Sequence, residues 1–150
     1  MGDRKLQLED LGDYVTVGLE GDESTRCYVD YQFSLLFGDT GALVVIETPF
    51  SILGKDGEQE FEPTEWAKLG PALERLLFKK VTIAKAHKDG KLEITFANGE
   101  ALLVLPNADY ESWHVVSEAG VASKDGAMIV CMPGGKLAIW GVSQSEGDGA

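Results

Sequence analysis

The chain has 150 residues, 44% of them hydrophobic, and its 25 acidic and 13 basic side chains give a net charge of −12. This length suits one domain with a sizeable core. The acidic balance argues against binding nucleic acid or an anionic membrane through a broad basic surface, but it permits a basic protein partner.

Targeting signals and cysteines both bear on the compartment. The first ten residues are charged and lack the apolar segment of a secretory signal. No apolar run reaches the ~18 residues that a membrane span needs. Cys27 and Cys131 are isolated in apolar segments, and without an export signal we expect reduced, buried thiols rather than a disulfide. These features predict a cytoplasmic protein.

The first half of the chain is dominated by alternation of apolar and polar residues. After a short strand at Tyr14–Leu19, the odd positions of Cys27–Phe37 are apolar or aromatic and the even ones mostly polar, with Leu36 the exception. This pattern predicts one long strand with one buried face. A turn and a second strand at Ala42–Thr48 complete a hairpin, which opposes Phe33 to Ile46 and Leu35 to Val44.

One segment has helical spacing. Between residues 63 and 78 the apolar side chains recur every three or four positions, at Trp66, Leu69, Leu73, Leu76 and Leu77. Gly70-Pro71 interrupts this stripe, and proline suits the first turn of a helix. We therefore expect a short turn at 64–69 and a better helix at 71–78 that covers a sheet.

The second half predicts a series of hairpins. Asn98-Gly99 favours a two-residue turn that opposes Phe96 to Ala101 and Ile94 to Leu103. In the preceding hairpin, a four-residue loop places Ile83 and Lys85 on the face of Ile94, whereas a three-residue loop places Ala84 and Ala86 there. Pro133-Gly134-Gly135 forms a last turn that opposes Met132 to Leu137 and Val130 to Ile139.

Together these elements predict an α+β fold that is mostly antiparallel β. Hairpins and a meander form one twisted sheet or open barrel, with one main helix at about 63–78 packed on it. Residues 1–13 form a flexible lead-in, residues 14–142 a single globular domain, and residues 143–150 a disordered acidic tail.

The sequence predicts no catalytic residues, no metal and no cofactor. His87 and His114 lie 27 positions apart without a cysteine or second histidine at ligand spacing. Cysteines in apolar strands are inert rather than activated. Neither a nucleophile elbow nor a phosphate-binding loop is present.

The candidate binding residues centre on the segment Asp109–His114. Tyr110 and Trp113 are three apart and would lie on one side of a helical turn, and amphipathic aromatics favour recognition surfaces. We include Glu111 and His114 from the same segment and Asp30 from the polar side of the long strand. The alternative is an aromatic plug that closes one end of the sheet, with the Tyr hydroxyl and the Trp N–H bonded to nearby backbone.

The order of several short motifs resembles a family of small bacterial domains of unknown function, best known from actinobacteria. The motifs are Val-Asp-Tyr-Gln-Phe-Ser-Leu-Leu-Phe at 29–37, Ile-Glu-Thr-Pro-Phe at 46–50, Tyr-Glu-Ser-Trp at 110–113 and Cys-Met-Pro-Gly-Gly-Lys-Leu-Ala-Ile-Trp at 131–140. This resemblance implies no activity. The Tyr-Glu-x-Trp signature is also similar to that of immunity proteins of bacterial polymorphic toxin systems.

Three functional hypotheses follow. The first is a non-enzymatic binding module, immunity-like, that occludes a basic protein partner with an acidic, aromatic-bearing surface. The second is a small-molecule binder or enzyme with a pocket between helix and sheet, lined by Trp66, Tyr31 and Trp113. The third is a homo-oligomer, such as a homodimer, that uses an exposed sheet edge or the face of Leu102 and Val104.

Overall fold

The structure is a computed structural model that describes residues 4–118, 120 and 126–144. Its strands are β1 (Leu8–Asp10), β2 (Tyr14–Val17), β3 (Ser24–Val29), β4 (Phe33–Phe37), β5 (Leu43–Ile46), β6 (Phe50–Gly54), β7 (Gly57–Phe61), β8 (Val81–His87), β9 (Leu92–Phe96), β10 (Ala101–Val104), β11 (Trp113–Val116), β12 (Met128–Cys131), β13 (Leu137–Trp140) and β14 (Val142–Gln144). One α-helix, α1 (Gly70–Leu76), and two short 3-10 helices, Trp66–Lys68 and Pro133–Gly135, complete it.

The strands form two sheets, not the single sheet or open barrel predicted. One sheet has eight strands in the order β14-β1-β2-β8-β9-β10-β6-β7, and the other has six in the order β13-β12-β11-β5-β4-β3. The chain changes sheet four times, after β2, β5, β10 and β13. Pro49 and Gly141 lie at two of these crossings, where the extended chain must turn away from its ladder. The mostly antiparallel α+β character is confirmed.

The hydrophobic core lies between the two sheets and is closed on one side by α1. Ala72 and Leu76 of the helix are fully buried in the same cluster as the inner faces of the strands. The buried hydroxyl of Ser24 donates to the carbonyl oxygen of Leu76 at 2.6 Å, which ties the end of the helix to β3. The predicted division into a turn and a helix beginning near Pro71 is confirmed, but Trp66 is exposed to solvent and does not join the stripe.

The first predicted hairpin has the expected register. Phe33 opposes Ile46 and Leu35 opposes Val44 in β4 and β5. The single long strand at Cys27–Phe37 is wrong, because the chain folds back at residues 30–32 and makes β3 and β4 antiparallel neighbours. Tyr31 adopts a φ of 60° at this turn, a conformation that a tyrosine seldom takes and that the alternation pattern does not reveal.

Three later hairpins share a three-residue loop that ends in glycine. Residues 88–90, 97–99 and 133–135 form these loops, and Gly90, Gly99 and Gly135 all have positive φ. A type I turn followed by a left-handed glycine is the usual geometry of such loops. The loop 133–135 differs because Gly134 also has a positive φ, of 87°. The three-residue alternative for β8 and β9 is therefore the one adopted, with Ala84 opposite Ile94.

The same loops shift two predicted registers by one residue. Ile94 opposes Leu102 instead of Leu103, and Ile139 opposes Ile129 instead of Val130. A shift of one residue exchanges the two faces of a strand. Leu102 and Val104 are consequently buried in the core, so they cannot form the exposed oligomerisation face considered above.

The two ends of the chain join the eight-stranded sheet. Leu8 is fully buried, and β1 pairs with β2 and, in parallel, with β14. The predicted flexible lead-in therefore contains a strand, and the first two residues of the predicted tail, Ser143 and Gln144, belong to β14. The remainder of that tail, 145–150, lies outside the described residues.

A buried carboxylate holds two loops together. The side chain of Asp22 accepts hydrogen bonds from the backbone N–H groups of Glu23, Asp39 and Thr40 and from the Thr40 hydroxyl, at 2.7 to 2.9 Å. These bonds fix the turn between β4 and β5 against the loop that precedes β3. Bonds to an ionised acceptor are the strong ones in proteins.

We predict that Asp22→Asn lowers the free energy of unfolding by about 2 kcal/mol, because an amide cannot accept all four bonds. Urea denaturation measures the change. Asp39→Asn is the matched control, since Asp39 is exposed, and it should change stability by less than about 0.5 kcal/mol. Equal effects of the two substitutions would contradict this role of Asp22.

Candidate functional site

The outer face of the six-stranded sheet is the most unusual surface of the molecule. Strand register arranges its outward side chains in two rows of six. The first row is Ala138, Val130, His114, Val45, Ser34 and Tyr28. The second row is Trp140, Met128, Val116, Leu43, Leu36 and Arg26. We call these twelve positions the apolar face, because nine of them are apolar or aromatic and none is a carboxylate.

The outer face of the eight-stranded sheet differs in character. The Glu93 carboxylate oxygen Oε1 lies 2.9 Å from Nε2 of His87, within hydrogen-bond distance. The Lys85 ammonium lies 4.6 Å from the ring centre of Tyr14. Isolated aliphatic residues such as Ile83 stand between these polar groups. A mixed surface of this kind is typical of a solvated sheet face. The two outer faces therefore differ in polarity, although the eight-stranded sheet also exposes Leu53 opposite Ala101.

The centre of the apolar face is tightly packed, and its edges are open. Val45 and Val130, which flank His114, are nearly inaccessible to solvent. The aromatic rings of Tyr28 and Trp140 lie on the edge strands β3 and β13 and are about half exposed. Amphipathic aromatics at the margin of an apolar patch are common in recognition surfaces.

His114 is the polar residue at the centre. Burial among its neighbours lowers its pKa, and the nearby carboxylates of Glu47 and Glu111 oppose that shift. The backbone N–H of Glu47 donates to the carbonyl oxygen of Ser112 at 2.8 Å, which holds Glu47 beside β11. One end of the apolar face is therefore lined by carboxylates.

The predicted binding residues separate in the structure. Glu111 and His114 lie together at the acidic end of the apolar face, whereas Asp30 is exposed at the turn between β3 and β4, three strands away or ~14 Å. Tyr110 is partly exposed in the connector before β11, which bends without forming the helical turn considered above.

Trp113 points the opposite way, into the core. Its indole Nε1–H donates to the carbonyl oxygen of Gly90 at 2.8 Å, and the side chain is fully buried. This bond joins β11 of one sheet to the β8–β9 loop of the other, as the plug alternative predicts for the tryptophan, whereas Tyr110 of the same motif is partly exposed. The proposed pocket of Trp66, Tyr31 and Trp113 is also wrong, because Tyr31 is 85% and Trp66 73% exposed while Trp113 is inaccessible.

The two cysteines are free thiols. Burial raises the pKa of Cys27 to about 11 and also raises the pKa of Cys131. Both are therefore protonated at neutral pH and poor nucleophiles, as the sequence predicts. Within the described part of the chain, no three His, Cys, Asp or Glu side chains are arranged to hold a metal ion, and no helix is long and apolar enough to cross a membrane.

Sequence reasoning found His114 but missed most of the apolar face. The signal that was present is a strand with apolar residues at both parities, as at Leu43–Ile46 and Met128–Cys131. Such runs are typical of strands that are covered on both faces. Here one of those faces is on the outside of the molecule.

Comparison with known proteins adds a family but no activity. A protein-family model, described as a family of unknown function (DUF6188), matches residues 15–141. No curated protein and no solved structure matches the chain.

We predict that Trp113→Phe lowers the free energy of unfolding by about 2–4 kcal/mol, because it leaves a cavity and an unpaired buried carbonyl at Gly90. Trp66→Phe is the matched control at an exposed site, with an expected change below about 0.5 kcal/mol. Chemical denaturation compares the two. A small effect at Trp113 would show that the bond between the sheets contributes little.

The histidine makes a pH-dependent contribution of known sign. Because the folded-state pKa of His114 lies below its unfolded value of 6.5, the unfolded chain binds the proton more tightly. The free energy of unfolding therefore carries the full contribution of neutral His114 above pH 6.5 and loses it as the pH falls toward the folded-state pKa. We expect His114→Gln to lose less in Tm than the wild type between pH 7.5 and 5.5. Thermal melts with parallel pH dependence would refute it.

Proposed function

Because the chain belongs to this family of unknown function, DUF6188, we propose a function from its own surface: a non-enzymatic interaction domain that binds a protein through the apolar face. One observation carries the proposal. Nine of twelve outward positions on one sheet are apolar or aromatic, whereas the other sheet presents charged residues to solvent. A contiguous apolar surface of this kind, partly accessible and with the rings of Tyr28 and Trp140 exposed at its edges, favours an interaction site.

The dimensions of the surface favour a protein over a small molecule. Six strands at a spacing of ~4.8 Å make a surface about 24 Å wide between the outer strand axes. Small-molecule sites are concave and enclose most of their ligand. An extended sheet face with aromatic edges instead resembles the apolar centre of a protein interface.

The reactive groups near the face support a non-enzymatic role. Cys27 and Cys131 are protonated thiols, and His114 is in register with Val45 and Val130 instead of with a hydroxyl or thiol that it could activate. Nucleophilic catalysis requires such a pair within hydrogen-bond reach.

The acidic charge around the apolar face favours a basic protein partner. The face carries no carboxylate, but Glu47, Glu111 and Asp30 lie at its rim and the chain carries −12 overall. A partner that brings basic groups to the rim of an apolar centre fits this distribution. An immunity-like role in a bacterial cytoplasm, the occlusion of a toxin, stays a prediction of the sequence resemblance.

We predict that Val116→Arg reduces retention of a protein partner by more than about tenfold, because binding would bury an unpaired guanidinium. The measurement is capture from a lysate of the source organism on immobilised protein, with bound proteins identified by mass spectrometry. Thr95→Arg, on the outer face of the other sheet, is the matched control and should behave as wild type. Thermal melts confirm that both variants fold.

Salt adds a second check on the same complex. Raising ionic strength should weaken retention because it screens the acidic rim. The proposal fails if no captured protein distinguishes the Val116 variant from the Thr95 variant.

A further inference from the structure

We propose that the apolar face packs against the same face of a second copy of this chain, about a two-fold axis that runs along the strands between β11 and β5. The inference rests on the proposed function, since it names the occupant of that face. With the strand order β13-β12-β11-β5-β4-β3, this axis places β13 over β3, β12 over β4 and β11 over β5. A two-fold interface uses one self-complementary patch on both subunits.

The ends of the rows are complementary under this operation. Arg26 on β3 and Trp140 on β13 occupy opposite ends of the same row, so the axis places each guanidinium beside the indole of the other copy. Both residues are exposed. An Arg over a Trp face is a favourable cation–π pair.

A second complementary pair lies beyond the two ends of the first row, two residues further along the edge strands. Lys136, next to β13, is exposed, and Asp30 is exposed at the turn after β3. The axis brings the Lys136 ammonium of one copy to the Asp30 carboxylate of the other. Neither side chain forms an ion pair with another described residue, so both are available for a partner. A second copy thus supplies a basic group to Asp30, one of the three carboxylates at the rim.

The positions beside the axis include one like-charge contact. Glu47 follows β5 and lies next to the axis, so its carboxylate approaches the Glu47 carboxylate of the other copy. In the centre, Val116 meets Leu43 and Met128 meets Leu36. Two sheets that pack face to face keep their strands within about 30° of each other, which preserves these correspondences approximately.

Another segment of this chain does not fit the face equally well. Residues 145–150, which lie outside the described part, read Ser-Glu-Gly-Asp-Gly-Ala. They bring two carboxylates and no apolar side chain larger than alanine to fill the space over the two rows. A second copy brings nine apolar positions, six of which meet an apolar position of the first copy under this axis.

The size of the face sets the expected affinity. About 24 Å of width and roughly 15 Å of strand length give a footprint of roughly 400 Å², below the ~800 Å² per partner of a stable interface. We therefore expect a weak dimer that forms only at high protein concentration.

Sedimentation equilibrium from about 5 to about 500 μM, a range that reaches the concentrations at which a small interface associates, tests the assembly. The wild type and Thr95→Arg should pass from monomer to dimer, whereas Val116→Arg should remain monomeric throughout. A wild type that stays monomeric at the highest concentration overturns the proposal. If the capture experiment then still finds another protein that binds through the apolar face, only the proposal of a second copy as the partner fails. If it finds none, the proposed function of the apolar face fails as well.

Cross-linking tests the orientation. In a Cys27→Ala and Cys131→Ala background that retains its fold, a mixture of Asp30→Cys and Lys136→Cys chains should form a disulfide-linked dimer on mild oxidation. Either chain alone should not, because the axis places identical residues on opposite sides of the interface. Equal cross-linking of Asp30→Cys with itself would overturn the proposed two-fold even if a dimer forms.

Discussion

The structure depends on the packing of the inner faces of two sheets, because that contact decides the direction of every other side chain. Trp113 fixes the two sheets at one end by its bond to Gly90. There the loops approach so closely that a Cβ on Gly90 would lie 2.6 Å from the Gly135 Cα, a distance that real structures do not tolerate. Once these inner positions are occupied, alternation along each strand assigns the neighbouring residues to the outside.

The sequence predicted local pairing well wherever both strands of a hairpin alternate clearly. The register of β4 and β5 followed from Phe33 and Leu35, since a slip would expose them. Loops were harder, because Asn98-Gly99 is compatible with a two-residue turn and with a three-residue loop that begins at Ala97. The number of sheets could not be predicted from the sequence, because the pattern of one strand does not identify the strand that packs over it.

The candidate surface was hidden for the same physical reason. A strand such as Met128–Cys131, with apolar residues on both faces, has the sequence of a strand buried on both sides. Leu36 is an exception to the alternation in its strand, yet one apolar residue at a polar position does not identify an apolar face. Only the register across six strands places Leu36 in a row with Leu43, Val116 and Met128. By contrast, the aromatic motif at 110–113 is conspicuous in the sequence, but its tryptophan has a structural role in the core.

An open apolar face is a liability for a free monomer, and the arrangement of this one limits that liability. The residues at its centre, Val45 and Val130, are small and almost shielded by their neighbours, so leaving them open exposes little apolar area. The large rings of Tyr28 and Trp140 stand at the edges, where each keeps a polar atom in water. The net charge of −12 opposes uncontrolled association. A surface built in this way suits binding that is specific and reversible, since the free face exposes little apolar area and a bound partner still covers both rows.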